Sequence, residues 1–468
     1  MGVRATESSK VVEKQREEVG NGGVPLDLSL SHIFHLSWPV MISLLAQNLI
    51  GVVDTAFIGR LGEQHLGGVA LASLVYYCIY TVGYGLASGT QITISHRFGA
   101  GRYHDIGHLL GQSLRLLFLA ALVMVCLSVA FGKFLFGGLI SSPEVATSSI
   151  AYWNYRSFGY LFAFLGSGFR SFFVGIGKTK VLTINALVMS VVNIILDYAL
   201  IFGSLGLPEL GVRGAAIASV VAEGASLLFY LLYIHFRVDK GCYAISGSII
   251  TKHDGVVVRS LLKLSYYLML QALLSQSVWT IFFFMIESLG ERELAIAAII
   301  RNLYILLFLP VNSYATAVRT TVGHLIGHGD IDKVVGYIWK SVRLSLGTML
   351  VFTLFFGLFP QLPLRIFSDN MELIAQAVPA LRVVCLAVLA SSIGSMFFTS
   401  VGSTGNTRMV FNIELINIIF YLLYSAVMIY LLHASVAACF TVEIIYYTSI
   451  GTMSYLYMKR GKYPSAIV

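Results

Sequence analysis

The chain has 468 residues, of which 57% are hydrophobic and only 12% charged, with a net charge of +8 and a mean hydropathy of +0.81. Soluble domains carry about twice that share of charge, so a soluble globular protein and a disordered chain are both excluded. No base-rich polar domain holds the excess positive charge, and this argues against a nucleic-acid partner.

The chain opens with "MGVRATESSKVVEKQREEVGNGG", polar and mixed in charge. It lacks the apolar stretch of a signal peptide and reads as a disordered cytoplasmic tail over residues 1–30. Twelve apolar spans follow, near 33–59, 66–95, 109–132, 148–173, 181–203, 212–236, 261–289, 294–322, 338–360, 378–401, 409–433 and 435–457. Each is long enough to cross a bilayer as a helix, which takes about 20 residues. The short alternating segments of a β-barrel do not occur. The fold class is therefore an all-α polytopic membrane protein with twelve transmembrane helices.

Loops after even-numbered spans are basic, with Arg97, Arg102, Lys178, Lys180, Arg237, Lys240, Lys252, Arg259, Lys263, Lys333 and Arg408. The end of the chain, 459–468, adds Lys459, Arg460 and Lys462. Loops after odd-numbered spans hold isolated bases only: Arg60, Lys133, Arg213, Arg292 and Arg365. Bases stay on the cytoplasmic side, so both termini are expected inside the cell and the protein in its inner (plasma) membrane. The five cysteines, Cys78, Cys126, Cys242, Cys385 and Cys439, form no CxxC pair and read as small apolar fillers.

The organising feature is a repeat. "LSWPVMISLLAQNLIGVVDTAFIGRLGE" from Leu36 and "LSYYLMLQALLSQSVWTIFFFMIESLGE" from Leu264 stand 264 − 36 = 228 residues apart. The same shift relates "HRFGAGRYHDIGHLLGQSLRL" at His96 to "HLIGHGDIDKVVGYIWKSVRL" at His324, and "GSGFRSFFVGIGKTK" at Gly166 to "GSMFFTSVGSTGNTR" at Gly394. Two six-helix bundles are expected, 31–237 and 261–458, joined by a cytoplasmic linker over 238–260. Six is even, so both copies insert the same way; such parallel repeats carry a substrate path between the halves.

Several polar residues stand out against this apolar background. Asp54 lies three-quarters along the first span, and its repeat equivalent is Phe282. The fold builds this helix without an acid there, and carboxylates at membrane depth usually face a bundle interior and serve function. Asp197 lies at similar depth in the fifth span, with Asn193 one turn earlier on the same face; their equivalents are Ser425 and Tyr421. Two carboxylates in a low-dielectric pocket resist double ionisation. That suits Asp54 and Asp197 to carry a proton, or with Asn193 to bind sodium; a packing hydrogen bond is the plainer alternative.

Gln47, two turns below Asp54, and Glu223 in the sixth span are accessory candidates, with helix–helix hydrogen bonding as the alternative for each. Pro39 interrupts the hydrogen bonding of the first span and permits a hinge; its equivalent is Tyr267. Glu414, Glu443, Arg301 and Arg319 read as ion-pair partners of one another. Arg156 and Arg170 fall near helix ends or interfaces. His96 and His324, at equivalent loop boundaries, read as topological. No Walker motif, HExxH, GxSxG or TVGYG-like filter occurs, so an enzyme, an ATP-driven pump and a channel are not indicated.

The stretches "P-V-M…Q…VDTAFIGRLGEQHLGGVALA" and "NIILDYALIFGSLGLPELGVRGAAIAS", with the G-x-G-x-[TS]-[KR] loop after the fourth span, resemble multidrug and toxic compound extrusion (MATE) transporters. The resemblance covers the whole membrane region. It implies a secondary antiporter coupled to H+ or Na+ that exports amphipathic, often cationic, small molecules, working as a monomer without a cofactor. It also implies that Ser219 completes the cation site, and that bending at Pro39 couples the ion to release. The NorM-type branch carries acids in the seventh and tenth helices. Here the matching stretches read "LLSQSV" and "ASSIGS", so the chain looks closer to the DinF-type branch. A flippase for lipid-linked saccharides is the alternative, and it would favour several arginines at mid-membrane.

Overall fold

The computed structural model describes residues 27–140, 142–245, 254–367, 370–461 and 463. All regular structure among them is helical. Most of the expected tail (1–26), the middle of the linker (246–253), and residues 462 and 464–468 lie outside the described residues.

The first half contains α1 (Leu30–Gly59), α2 (Glu63–Gly99), α3 (His104–Leu139), α4 (Pro143–Arg156), α5 (Gly159–Gly175), α6 (Lys180–Phe202) and α7 (Val212–Arg237). The second half contains α8 (Gly255–Glu287), α9 (Glu291–His328), α10 (Ile331–Leu358), the short α11 (Gln361–Arg365), α12 (Met371–Ser403) and α13 (Thr407–Ala426). A π turn over Val427–Leu431 extends α13, and α14 (Val436–Cys439) and α15 (Thr441–Lys459) complete the chain. The second bundle begins earlier than expected, because Asp254 caps α8 by accepting from the Val256 and Val257 amides.

Among the described residues, eleven helical stretches are long and apolar enough to span a membrane. The expected fourth span is instead split into α4 and α5. Its repeat twin α12 covers the same positions shifted by 228 (143 + 228 = 371; 175 + 228 = 403) and is unbroken. The break follows Arg156 directly. Gly159, the first residue of α5, packs so closely on the Arg156–Glu223–Tyr76 cluster that a Cβ there would fall 2.9 Å from the Tyr76 hydroxyl.

Three apolar clusters form among the described residues, two in the first half and one mainly in the second. Phe172 belongs to one first-half cluster and Phe164 and Tyr160 to the other, while Phe282, Phe397 and Phe440 fill the second half's. Outward-facing positions are apolar as lipid requires, among them Phe131, Val351 and Leu423.

At the face where α1 begins and α15 ends, α2 and α9 cross closely. A Cβ at Gly99 would overlap the His324 backbone, and one at Gly327 (99 + 228) would overlap the His96 backbone. The two histidines are buried and reach across to the opposite bundle. His96 Nε2 bonds the Ser403 carbonyl at 2.6 Å, and His324 Nε2 bonds the Gly175 carbonyl at 2.7 Å. Since 175 + 228 = 403, these are one contact made twice. The histidines fasten the halves together, which goes beyond the topological role expected of them.

Along the parallel pair α1 and α6, Thr183 Oγ1 donates to the Pro39 carbonyl (2.8 Å) and Ser190 Oγ donates to the Ala46 carbonyl (3.4 Å). The next step up that stripe, seven residues further on α6, is Asp197, which meets Asp54. Seven-residue steps keep two helices in register. Pro39 itself lies inside an otherwise continuous α1.

Candidate functional site

A cavity of about 1040 Å³ lies between the halves and takes its walls from both. Asp54, Gln47, Asn193, Ser219 and Glu223 line it. Asp197 sits behind Asp54, fully buried, with the two carboxyl groups within hydrogen-bonding range.

Asp54 Oδ1, both Asp197 oxygens and both polar atoms of the Asn193 amide find no hydrogen-bond partner by strict geometry. Asn193 stands one turn before Asp197 on the same face of α6. Buried polar atoms are normally paired, so an orphaned group calls for an explanation. A proton shared by the two carboxyls, or a cation held by their oxygens, supplies what is missing.

The structure places the other sequence candidates differently. Ser219 lines the cavity but shows no hydrogen bond to either acid. Gln47 donates to Ser43 (3.2 Å), while its twin Ser275 (47 + 228) receives from Gln271 (3.0 Å), the twin of Ser43. The Gln–Ser pair is thus built in reverse order in the two halves. Pro39 lies fifteen residues below Asp54, about 22 Å along the helix, and off the cavity wall.

Glu223 is the carboxylate of a buried ion pair. Arg156 Nη1 and Nη2 donate to its two oxygens at 2.9 and 2.6 Å, and the Tyr76 hydroxyl donates at 3.2 Å. The Arg156 guanidinium lies 3.6 Å from the centroid of the Tyr76 ring, which stacks on Tyr160 at 4.4 Å.

Arg156 does end a helix, as expected, but both it and Arg170 face the cavity rather than an interface. The break after α4 turns Arg156 inward, and Arg156, Arg170 and Arg301 all line the cavity. Four carboxylates face these three arginines on the wall: Asp54, Glu223, Glu414 and Glu443.

The second half brings a second correction. Glu414 and Glu443 are buried but do not pair with Arg301 or Arg319. Glu414 accepts from Ser275 and from Tyr446 (2.9 Å). Glu443 accepts from Tyr304 (3.1 Å) and Tyr421 (2.8 Å). Arg301 lies over Phe283 at 5.3 Å, and Arg319 reaches the Ser88 hydroxyl at 3.4 Å. Hydroxyl donors satisfy these acids, so no arginine is needed to bury them. Sequence reading missed the tyrosines because each is an ordinary membrane residue; the signal available was that Tyr76 and Tyr304 are repeat twins (76 + 228).

Eleven membrane-length helices and the split pair α4–α5, in two repeat-related bundles joined by the crossed histidines and enclosing a cavity that carries charged side chains, define a two-lobed polytopic membrane protein of transporter architecture. The sequence profile of the MatE family matches it twice, over residues 39–199 and 268–440. The chain belongs to the MatE family.

Among its relatives is the "Probable multidrug resistance protein NorM" of Thermotoga maritima, 26% identical over 381 residues that make up 80% of each chain. Another is the "Multidrug resistance protein PmpM" of Pseudomonas aeruginosa, 26% identical over 66% of this chain and 64% of that one. The fold matches the crystal structure of a mutant of the Vibrio cholerae MATE transporter VcmN, with a TM-score of 0.84 and 19% identity over 92% of this chain and 96% of that one. A MOP superfamily transporter from Pyrococcus furiosus superposes with a TM-score of 0.83 at 19% identity, covering 92% of this chain and 95% of that one.

Proposed function

We propose that the protein is a secondary antiporter of the inner (plasma) membrane that exports amphipathic, often cationic, small molecules against an inward flow of protons or sodium ions. The observation that carries this reading is the unsatisfied Asp54–Asp197–Asn193 cluster on the wall of a cavity shared by both bundles. The relatives named for multidrug resistance agree with it.

Both termini lie inside the cell, which makes the histidine-sealed face cytoplasmic. Substrate occupies the cavity while the acids are free. An ion then enters from outside at Asp54, Asn193 and Asp197, with Ser219 beside them, and removes charge there. It drives release by favouring the substrate-releasing state, and α1 responds at Pro39. Gln47 and Glu223 shape the cavity, the latter through its ion pair. The coupling centre sits in the first bundle, as in the DinF-type branch, and the monomer is the working unit.

A flippase of lipid-linked saccharides is the weaker reading. Arginines do line the cavity, but the acids outnumber them four to three, and such a wall repels a pyrophosphate.

The deciding experiment is transport by the reconstituted protein with pH and sodium gradients imposed separately. Asp54→Asn and Asp197→Asn should each abolish gradient-driven export in a folded, membrane-inserted protein. Normal export by both variants refutes the mechanism, and the gradient that drives the wild type identifies the ion.

A further inference from the structure

Two guanidinium groups next to the histidine joint have no carboxylate to answer them. Arg170 stands on α5, five residues before Gly175, and Arg319 stands on α9, five residues before His324. Gly175 and His324 are partners in the joint, so each arginine lies about 7.5 Å along its helix from one shared contact. A second contact brings them to the same turn of α2. Ser171, next to Arg170, donates to the Ala87 carbonyl at 2.7 Å. Arg319 donates to the hydroxyl of Ser88, the next residue of α2, at 3.4 Å. Tyr84, one turn earlier on α2, lines the cavity with Arg170 and lies within the field of both guanidinium groups.

The fold requires neither charge. The repeat twin of Arg170 is Phe398 (170 + 228), and that of Arg319 is Gln91 (319 − 228). Arginine stays charged in a protein, and a charge withdrawn from water without a counterion is costly. Both side chains are only partly exposed, and among the described residues neither forms an ion pair. The carboxylates on the cavity wall are engaged elsewhere: Glu223 with Arg156, Glu414 and Glu443 with tyrosine hydroxyls, and Asp54 with Asp197. An anion from outside the chain supplies the missing partner. A planar carboxylate fits the guanidinium fork with two parallel hydrogen bonds, and a tyrosine hydroxyl adds a further donor. The rings of Tyr77, Tyr80 and Tyr84 on the same stretch of wall suit an aromatic body attached to that carboxylate.

We propose that Arg170, Arg319 and Tyr84 form a carboxylate-binding subsite, and that the molecules this cavity accepts include aromatic acids. The proposal rests on the export function proposed for the protein and adds a substrate class to it. The two arginines take no part in holding the coupling ion, so the subsite is measured by binding alone, without any gradient.

The test is calorimetric titration of the purified full-length protein with 2-naphthoate and its neutral isostere 2-naphthamide. Wild type should bind naphthoate about tenfold or more tightly than naphthamide, as charge-assisted hydrogen bonds require. Arg170→Phe and Arg319→Gln, which install the twin residues, should each lose about tenfold or more for naphthoate and less than about threefold for naphthamide. Arg343→Gln removes an exposed arginine outside the cavity and should leave both affinities unchanged. Equal affinity of the wild type for acid and amide overturns the proposal, whether or not any variant folds. So does unchanged naphthoate affinity in Arg170→Phe or Arg319→Gln, equal loss of both ligands, or a comparable loss in Arg343→Gln. If naphthoate binds as expected while neither a pH nor a sodium gradient drives export, the export reading fails and the subsite stands.

Discussion

Removing one member of the Arg156–Glu223 pair tests the buried architecture most directly. The side chains are 11% and 9% exposed, and their closest atoms are 2.6 Å apart. Two unit charges about 4 Å apart attract by about 4 kcal/mol at an effective dielectric near 20. Desolvation offsets most of this for the intact pair, but breaking a buried pair leaves the surviving charge uncompensated at about 3–5 kcal/mol. Glu223→Leu and Arg156→Leu should therefore each be strongly destabilising, while the double variant should lose little more than either alone.

A coupling of about 3 kcal/mol is expected from the double-mutant cycle. If the first bundle unfolds as a unit of about 200 residues, its unfolding entropy is about 0.4 kcal/mol/K and each single variant should lower Tm by about 7–12 °C. Thermal unfolding of the detergent-solubilised protein measures this. Additive losses, with a coupling under about 0.5 kcal/mol, would show that the two side chains do not act as a pair.

Other outcomes follow from features nearby. Thr183→Val removes the bond to the Pro39 carbonyl and should cost about 1 kcal/mol, whereas Thr183→Ser keeps the hydroxyl and most of the stability; thermal unfolding of the two variants distinguishes them. Gly99→Leu cannot be accommodated against the His324 backbone, so it should hold the sealed face open and raise the reactivity of a cysteine introduced at Ser95 towards a water-soluble maleimide. The backbone amides of Val257 and Val256 and the His108 side chain hold the Asp254 carboxyl below its usual range. Its contribution to stability is present above the unfolded-state carboxylate range and is lost as pH falls through the lower, folded value. Asp254→Asn keeps the cap and should flatten the acid limb of the stability–pH curve measured between about pH 5 and 2.

Much of this was legible in the sequence, and the reasons are physical. Spans follow from composition, because a bilayer demands long apolar stretches. The two bundles follow from the constant shift of 228. The acid pair was visible because Asp54 and Asp197 have apolar or neutral twins, and α1 and α6 do bring them together.

The break after Arg156 was not visible, since "AYWNYRSFGYLFAF" carries no proline and only one glycine. Where the helix stops, its last residue is held by a tertiary contact with Glu223 on α7. The partners of Glu414 and Glu443 were misjudged for a related reason. Charge suggests arginine as the natural counterpart of a buried acid, whereas in three dimensions tyrosine hydroxyls from other helices arrive first.

The crossed histidines carry a consequence for leakage. Each bundle supplies both a ring and a carbonyl to the same joint, so neither half can loosen its grip while the other keeps hold. Parting the face breaks two hydrogen bonds and two close glycine contacts in one event, which makes half-open forms costly compared with either end state. A joint that yields all at once leaves little opportunity for a continuous water path through the molecule.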